Sequence, residues 1–202
     1  MKKLSGTKGI IPLIAGSNDE GQIPWLAMPI AQPIKSAVDQ DDPFFVLKGT
    51  IQVFQTLASL HCSGISHRDI KPDNIYLLDG NWVLADFGIA SFPGKEALTE
   101  AGRKLGPMFY IAPEMLNSPD TADGSAADIY SLAKTLWVLL SGQTYPPPGE
   151  QRASVEGLRI SSYVDLECGS KLDEFLEGCT QHDPGKRPDA ASACARLIQI
   201  LE

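Results

Sequence analysis

Residues 60–76 read Leu-His-Cys-Ser-Gly-Ile-Ser-His-Arg-Asp-Ile-Lys-Pro-Asp-Asn-Ile-Tyr, and Ala85-Asp86-Phe87-Gly88 follows shortly after. These stretches hold the residue types that phosphoryl transfer requires. A base must orient a hydroxyl, carboxylate and amide oxygens must hold Mg²⁺, and a cation must offset charge on the moving group. Asp69, Asn74, Asp86 and Lys71 are of those types, with Asp69 and Asn74 five residues apart on one loop. Apolar runs at 74–78 and 82–85 joined by Asp79-Gly80-Asn81 carry a hairpin signal. That hairpin would return Asp86 to the side of Asn74.

Such side chains need elements that position them. Residues 9–15 (Gly-Ile-Ile-Pro-Leu-Ile-Ala) and 23–30 (Ile-Pro-Trp-Leu-Ala-Met-Pro-Ile) are apolar runs separated by a polar turn, which predicts an antiparallel strand pair. Pro24 and Pro29 put the ends of the second strand near an edge or a boundary. From Leu47 the period changes, and Leu47, Ile51, Phe54, Leu57, Ala58 and Leu60 recur at helical spacing until Gly64 stops the helix. Residues 90–107 read as a long loop, a length that usually serves function. Ser125-x-x-Asp128 reads as a capping box that opens a buried helix from Ile129 to Ser141, ended by Gly142. Pro146-Pro147-Pro148 is loop, and two helices follow near 170–180 and 189–201. Trp25, Trp82 and Trp137 read as packing residues. The acidic run Asp165, Glu167, Asp173, Glu174 and Glu177 reads as a solvated face.

The stretch closely resembles the protein kinase family. His67-Arg68-Asp69 followed by Asn74 matches the catalytic loop, and Asp86-Phe87-Gly88 the metal-binding motif. Ala112-Pro113-Glu114 matches the close of the activation segment, and Asp183-Pro184-x-x-Arg187-Pro188 the late arginine motif. The resemblance implies an α+β, protein-kinase-like fold: a mostly helical C-lobe at 32–202, with a remnant of the small β lobe and the hinge at 1–31. It implies that Asp69 is the catalytic base, that Lys71 contacts the transferred phosphate, and that Asn74 and Asp86 bind Mg²⁺. The order Asp-Ile-Lys-Pro looks like a serine/threonine kinase. His67 and Phe87 would stack between the lobes, with Leu13 extending the stack, and Arg187 would pair with Glu114. Residues 9–31 are similar to the last strands of the small lobe and the hinge. On that likeness Met28 guards the nucleotide pocket, Pro29 and Ala31 present backbone to the adenine of ATP, and Tyr76 lies beneath it. Proline has no N–H to donate, so the donor falls to Ala31.

These 202 residues also depart from the family's pattern. No glycine-rich loop precedes residue 9, and the strand lysine of the family is absent; Lys2, Lys3 and Lys8 are the only upstream lysines. Those groups cover and position phosphates, and positioning is most of this catalysis. The expectation is weak ATP binding and slow turnover by these residues alone. Pro107 stands where serine/threonine kinases usually place a threonine. Arg68 before the catalytic aspartate goes with control by loop phosphorylation, for which Thr99 is the candidate, near Arg103 and Lys104.

Hydrophobic residues make up 43% and charged residues 21%, an ordinary globular mixture. A net charge of −8 argues against a nucleic-acid-binding surface. No apolar run approaches the roughly 20 residues of a membrane span. Gly6, Lys8 and Gly9 break any leader that Met1-Lys2-Lys3 would begin, so no signal peptide is expected. Cys62, Cys168, Cys179 and Cys194 form no C-x-x-C pair and read as reduced thiols of a cytoplasmic protein. The expected partners are ATP, Mg²⁺ and a protein substrate, with no nucleic acid and no membrane. Two function classes compete: an ATP-dependent protein serine/threonine kinase, and a pseudokinase-like binding or regulatory module. The intact Asp69, Asn74 and Asp86 favour the first; the absent loop and lysine favour the second.

Overall fold

The computed structural model describes residues 4, 6–17, 23, 25–92 and 108–202. The readings made for Lys2, Lys3, Pro24, Thr99, Arg103, Lys104 and Pro107 lie outside them. Strands β1 (Ala15–Ser17) and β2 (Trp25–Ala27) pair antiparallel, with Ala15 opposite Ala27 and Ser17 opposite Trp25. The expected pair exists but is shorter and shifted. Ile10 and Ile11 are apolar for another reason: both are buried beside Leu84, whose carbonyl accepts from Ile11 N–H at 2.9 Å. Trp25 is 50% exposed on this ribbon, so it is not the packing residue expected.

Strand β3 (Gln32–Pro33) leads into the short helix α1 (Ile34–Ala37) and joins a hairpin of β4 (Ile75–Leu78) and β5 (Asn81–Leu84) in the order β3-β4-β5. The hairpin turn is Asp79-Gly80, both at positive φ (49° and 76°), with Leu78 opposite Asn81. Two left-handed residues match the twist of the flanking strands, which explains the Asp-Gly pair.

Helix α2 spans Pro43–Cys62 and starts earlier than the apolar period indicates. Asp42 caps it by accepting from Phe45 N–H, and Pro43 at the first helical position needs no donor. Gly64 at φ 69° follows its end. Helix α3 (Pro113–Asn117) precedes α4 (Gly124–Ser141), which is buried on nearly every side. Helices α5 (Gly169–Cys179) and α6 (Ala190–Leu201) complete the helical body. α2 packs against α4 and α6 in one apolar core, where Phe54 meets Phe175 edge to face at 6.0 Å.

Two readings are corrected here. The cap of α4 is Asp123, which accepts from Ser125 and Ala126 N–H; Ser125 and Asp128 form no capping box, because Asp128 is held elsewhere. The acidic run is not all solvated: Asp173 is 5% exposed and accepts from Ile160 N, Ser161 N and Ser161 Oγ. An acid on the helix surface here satisfies the backbone of a neighbouring loop.

Candidate active site

The loop from 67 to 74 is held by a buried carboxylate at the start of α4. Asp128 is fully buried; its Oδ1 accepts from Arg68 N–H at 2.7 Å. Its Oδ2 accepts from His67 N–H at 2.8 Å and lies 3.0 Å from His61 Nε2. Arg68 needs this anchor, because its backbone lies at φ 68°, a region that disfavours non-glycine residues by roughly 1–2 kcal/mol. Its guanidinium donates to the Pro119 carbonyl. His67 is fully buried and tilted against Phe87 at 4.6 Å between ring centroids. Its Nδ1 accepts from Asp69 N–H at 3.3 Å, so Nε2 carries the proton and donates to the Ala85 carbonyl at 2.9 Å.

Beyond that anchor the polar side chains interlock. Lys71 Nζ donates to both carboxylate oxygens of Asp69, at 2.9 and 2.7 Å. Asn74 Nδ2 donates to the Asp69 carbonyl and to Asp69 Oδ2, both at 2.8 Å. The β4–β5 hairpin closes the circuit, since Ala85 N–H donates to the Asn74 carbonyl at 2.9 Å. Asp86 follows Ala85, the backbone partner of Asn74; it is exposed, with its backbone at φ 58° and its Oδ1 accepting from Gly88 N–H at 3.1 Å.

The leftover donor atoms suit a hard cation. Among the described residues, Asn74 spends its NH₂ on Asp69, which leaves its amide oxygen free, and Asp86 keeps a carboxylate oxygen free. Mg²⁺ takes one or two such oxygens and completes its shell with water and phosphate. Among the described residues no group of three or more His, Cys, Asp or Glu could hold a metal alone. Beside the hairpin, Ile11, Val83 and Ala85 form a separate apolar cluster with Ala31, Tyr76 and Leu78 packed on it. Met28 is 40% exposed, and Pro29 and Leu13 are half-buried.

A second buried pair fixes the segment that ends at α3. Arg187 Nη1 and Nη2 donate to Glu114 Oε1 and Oε2 at 2.6 and 2.9 Å, a bidentate geometry. Arg187 also donates to the carbonyls of Gln181 and Ala126 and lies 5.0 Å over the Tyr130 ring.

A protein kinase domain profile matches residues 39–197, which include every one of these polar groups. The chain belongs to the protein kinase family. It is 33% identical over 181 residues to the serine/threonine-protein kinase stk11 of Xenopus laevis, covering 84% of this chain and 41% of that protein. It is 39% identical over 163 residues to a probable serine/threonine-protein kinase, pknA2, of Bifidobacterium longum, covering 76% of this chain and 21% of the relative. The figures for the serine/threonine-protein kinase PknL of Mycobacterium tuberculosis are 34% over 157 residues, 72% and 38%. The chain thus spans between about a fifth and two fifths of the length of these relatives.

The fold brings Asp69, Lys71 and Asn74 into direct contact and bonds the backbone of Ala85, the residue before Asp86, to Asn74. Ala31 and Tyr76 share the apolar cluster; Met28 and Pro29 are outside it. Two kinase-lobe features escape sequence reasoning. Asp128 holds the 67–74 loop from 60 residues away, a distance at which no local pattern signals contact. Lys134 is fully buried within α4 and donates to the carbonyls of Pro147 and Gly149; burial pushes its pKa down to about 7. Among the described residues no helix is long and apolar enough to cross a membrane.

Proposed function

We propose that Asp69, Lys71, Asn74 and Asp86 transfer the γ-phosphoryl group of ATP to serine or threonine hydroxyls of a protein substrate. The observation that carries this reading is the interlocked Asp69–Lys71–Asn74 cluster, tied by one backbone hydrogen bond to Ala85, the residue before Asp86. Asp69, oriented by Lys71 and Asn74, accepts the proton of the incoming hydroxyl. Lys71 keeps a positive charge beside that carboxylate, where charge develops on the transferred group. Asn74 and Asp86 would hold Mg²⁺, which supplies charge neutralisation at the nucleotide phosphates when bound. The apolar cluster of Ile11, Val83 and Ala85 with Tyr76 and Ala31 supports an adenine floor there, with Met28 and Pro29 on the connecting segment.

The test is incorporation of radiolabelled phosphate into a generic basic protein by the purified 202-residue chain, with Asp86→Ala as control. We expect slow, Mg²⁺-dependent labelling of serine and threonine, lost in the variant. Labelling that the variant retains would contradict the assignment. Turnover equal to that of an intact kinase would contradict the expected slowness. A chain that binds Mg²⁺–ATP without labelling would be a binding module.

A further inference from the structure

A cavity of about 430 Å³ lies where the end of α2 meets the starts of α4 and α6. That volume is in the range that holds small organic ligands. Its walls are apolar at Ala58, Ile129, Pro184 and Pro188. Polar groups converge on it from three elements: His61 and Cys62 from α2, Asp123 from the residue before α4, and Asp189 from the residue before α6. Asp123 uses Oδ1 to cap α4, which leaves Oδ2 without a hydrogen bond among the described residues. Asp189 accepts from Ser192 N–H at 2.7 Å; that bond, with a smaller contribution from His61, holds its carboxyl below the usual range. His61 directs Nε2 to Asp128 Oδ2 at 3.0 Å and keeps Nδ1 unbonded among the described residues.

We propose that this cavity binds a small organic amine in its protonated form, with the apolar body against the prolines and the ammonium between Asp123 and Asp189, and that occupancy steadies the 67–74 loop through His61. Charge selects the occupant. Arg187 is the one lysine or arginine on the wall among the described residues, and its side chain is buried and already paired with Glu114. The positive ends of α4 and α6 offset about half of each carboxylate charge, so the rim stays negative. The link to the loop is short. His61 leans on Asp128 Oδ2, the atom that accepts from His67 N–H, while Oδ1 accepts from Arg68 N–H. An occupant that binds only the arrangement with His61 in place disfavours opening of that anchor by mass action. Binding there does not require phosphoryl transfer.

The test reads occupancy at Cys62, an exposed thiol that lines the cavity. The full chain is alkylated with iodoacetamide in the presence of phenethylamine or its neutral analogue phenethyl alcohol, and peptide mass spectrometry follows Cys62, with Cys168 as the reference thiol. The amine should shield Cys62 at about 3- to 10-fold lower concentration than the alcohol, with Cys168 unaffected. Asp123→Asn and Asp189→Asn preserve the helix caps and should erase the difference between the two ligands. At saturating amine, hydrogen exchange of His67 and Arg68 N–H should slow while that of the β4–β5 hairpin stays the same. Equal shielding by amine and alcohol, no shielding by either, or an amine advantage that both asparagine variants retain would overturn the proposed site. Unchanged exchange at His67 and Arg68 in the shielded chain would overturn its coupling to the loop.

Discussion

Replacing Asp128 with asparagine changes almost no volume and removes one acceptor from a site that serves three donors. In its less costly orientation the amide keeps oxygen toward His67 N–H and His61 Nε2, and turns NH₂ toward Arg68 N–H, now 2.7 Å from Oδ1. A buried donor then faces a donor. A hydrogen bond to a charged acceptor contributes about 1.5–3 kcal/mol, and leaving a buried donor unpaired costs about 1–3 kcal/mol. These overlap, so we expect Asp128→Asn to lose about 2–4 kcal/mol of stability, or roughly 5–15 °C in Tm for a chain of this size. Urea unfolding followed by circular dichroism measures it. The loss should reach function too, because Arg68 at φ 68° is held by that same contact and Asp69 follows it. Phosphate transfer should therefore fall further than the folded fraction does. A variant within about 0.5 kcal/mol of wild type would show that Asp128 does not anchor the loop.

Lys134 gives a pH signature. Its folded pKa, about 7, lies below the ordinary 10.5, so the unfolded chain binds more protons between those values and stability should rise with pH across them. Lys134→Met should be more stable at pH 7, and the difference between its profile and wild type should shrink toward pH 10; parallel profiles would contradict this. Gly49 faces the Trp82 ring so closely that an added Cβ would lie 2.0 Å from it. Gly49→Ala should cost about 1–3 kcal/mol and shift tryptophan fluorescence; an unchanged spectrum and stability would count against this packing. Asp86 holds φ 58°, which glycine adopts freely, so Asp86→Gly should gain up to about 1 kcal/mol. It should also lose Mg²⁺-dependent nucleotide binding by calorimetry. Binding retained at wild-type strength would remove Asp86 from the metal site.

Much of the site is legible in sequence because its parts are local. Asp69, Lys71 and Asn74 lie within six residues, and the Asp79-Gly80 turn returns the chain to Asn74 by backbone geometry alone. The Glu114–Arg187 pair is read by family likeness and not by periodicity, since 73 residues separate its members. What is not legible depends on distant partners. Ser125 and Asp128 fit a capping pattern, yet Asp123 is better placed to cap, and Asp128 is drawn to amides across the core. The apolar run at 9–15 looks like one strand, but Ile10 and Ile11 are apolar for Leu84, and only its end, Ile14 and Ala15, meets β2. Lys134 hides in an apolar helix because its charge is met by carbonyls of a loop 13 and 15 residues onward.

Whether Asp69 and Asp86 act as one catalytic unit is most directly tested by a double-mutant cycle on phosphate transfer, under single-turnover conditions with saturating Mg²⁺. Groups that act together are grossly non-additive. We expect Asp69→Ala, Asp86→Ala and the double variant to transfer phosphate at nearly the same residual rate. A double variant slower by the product of the two single losses would mean that the carboxylates act independently.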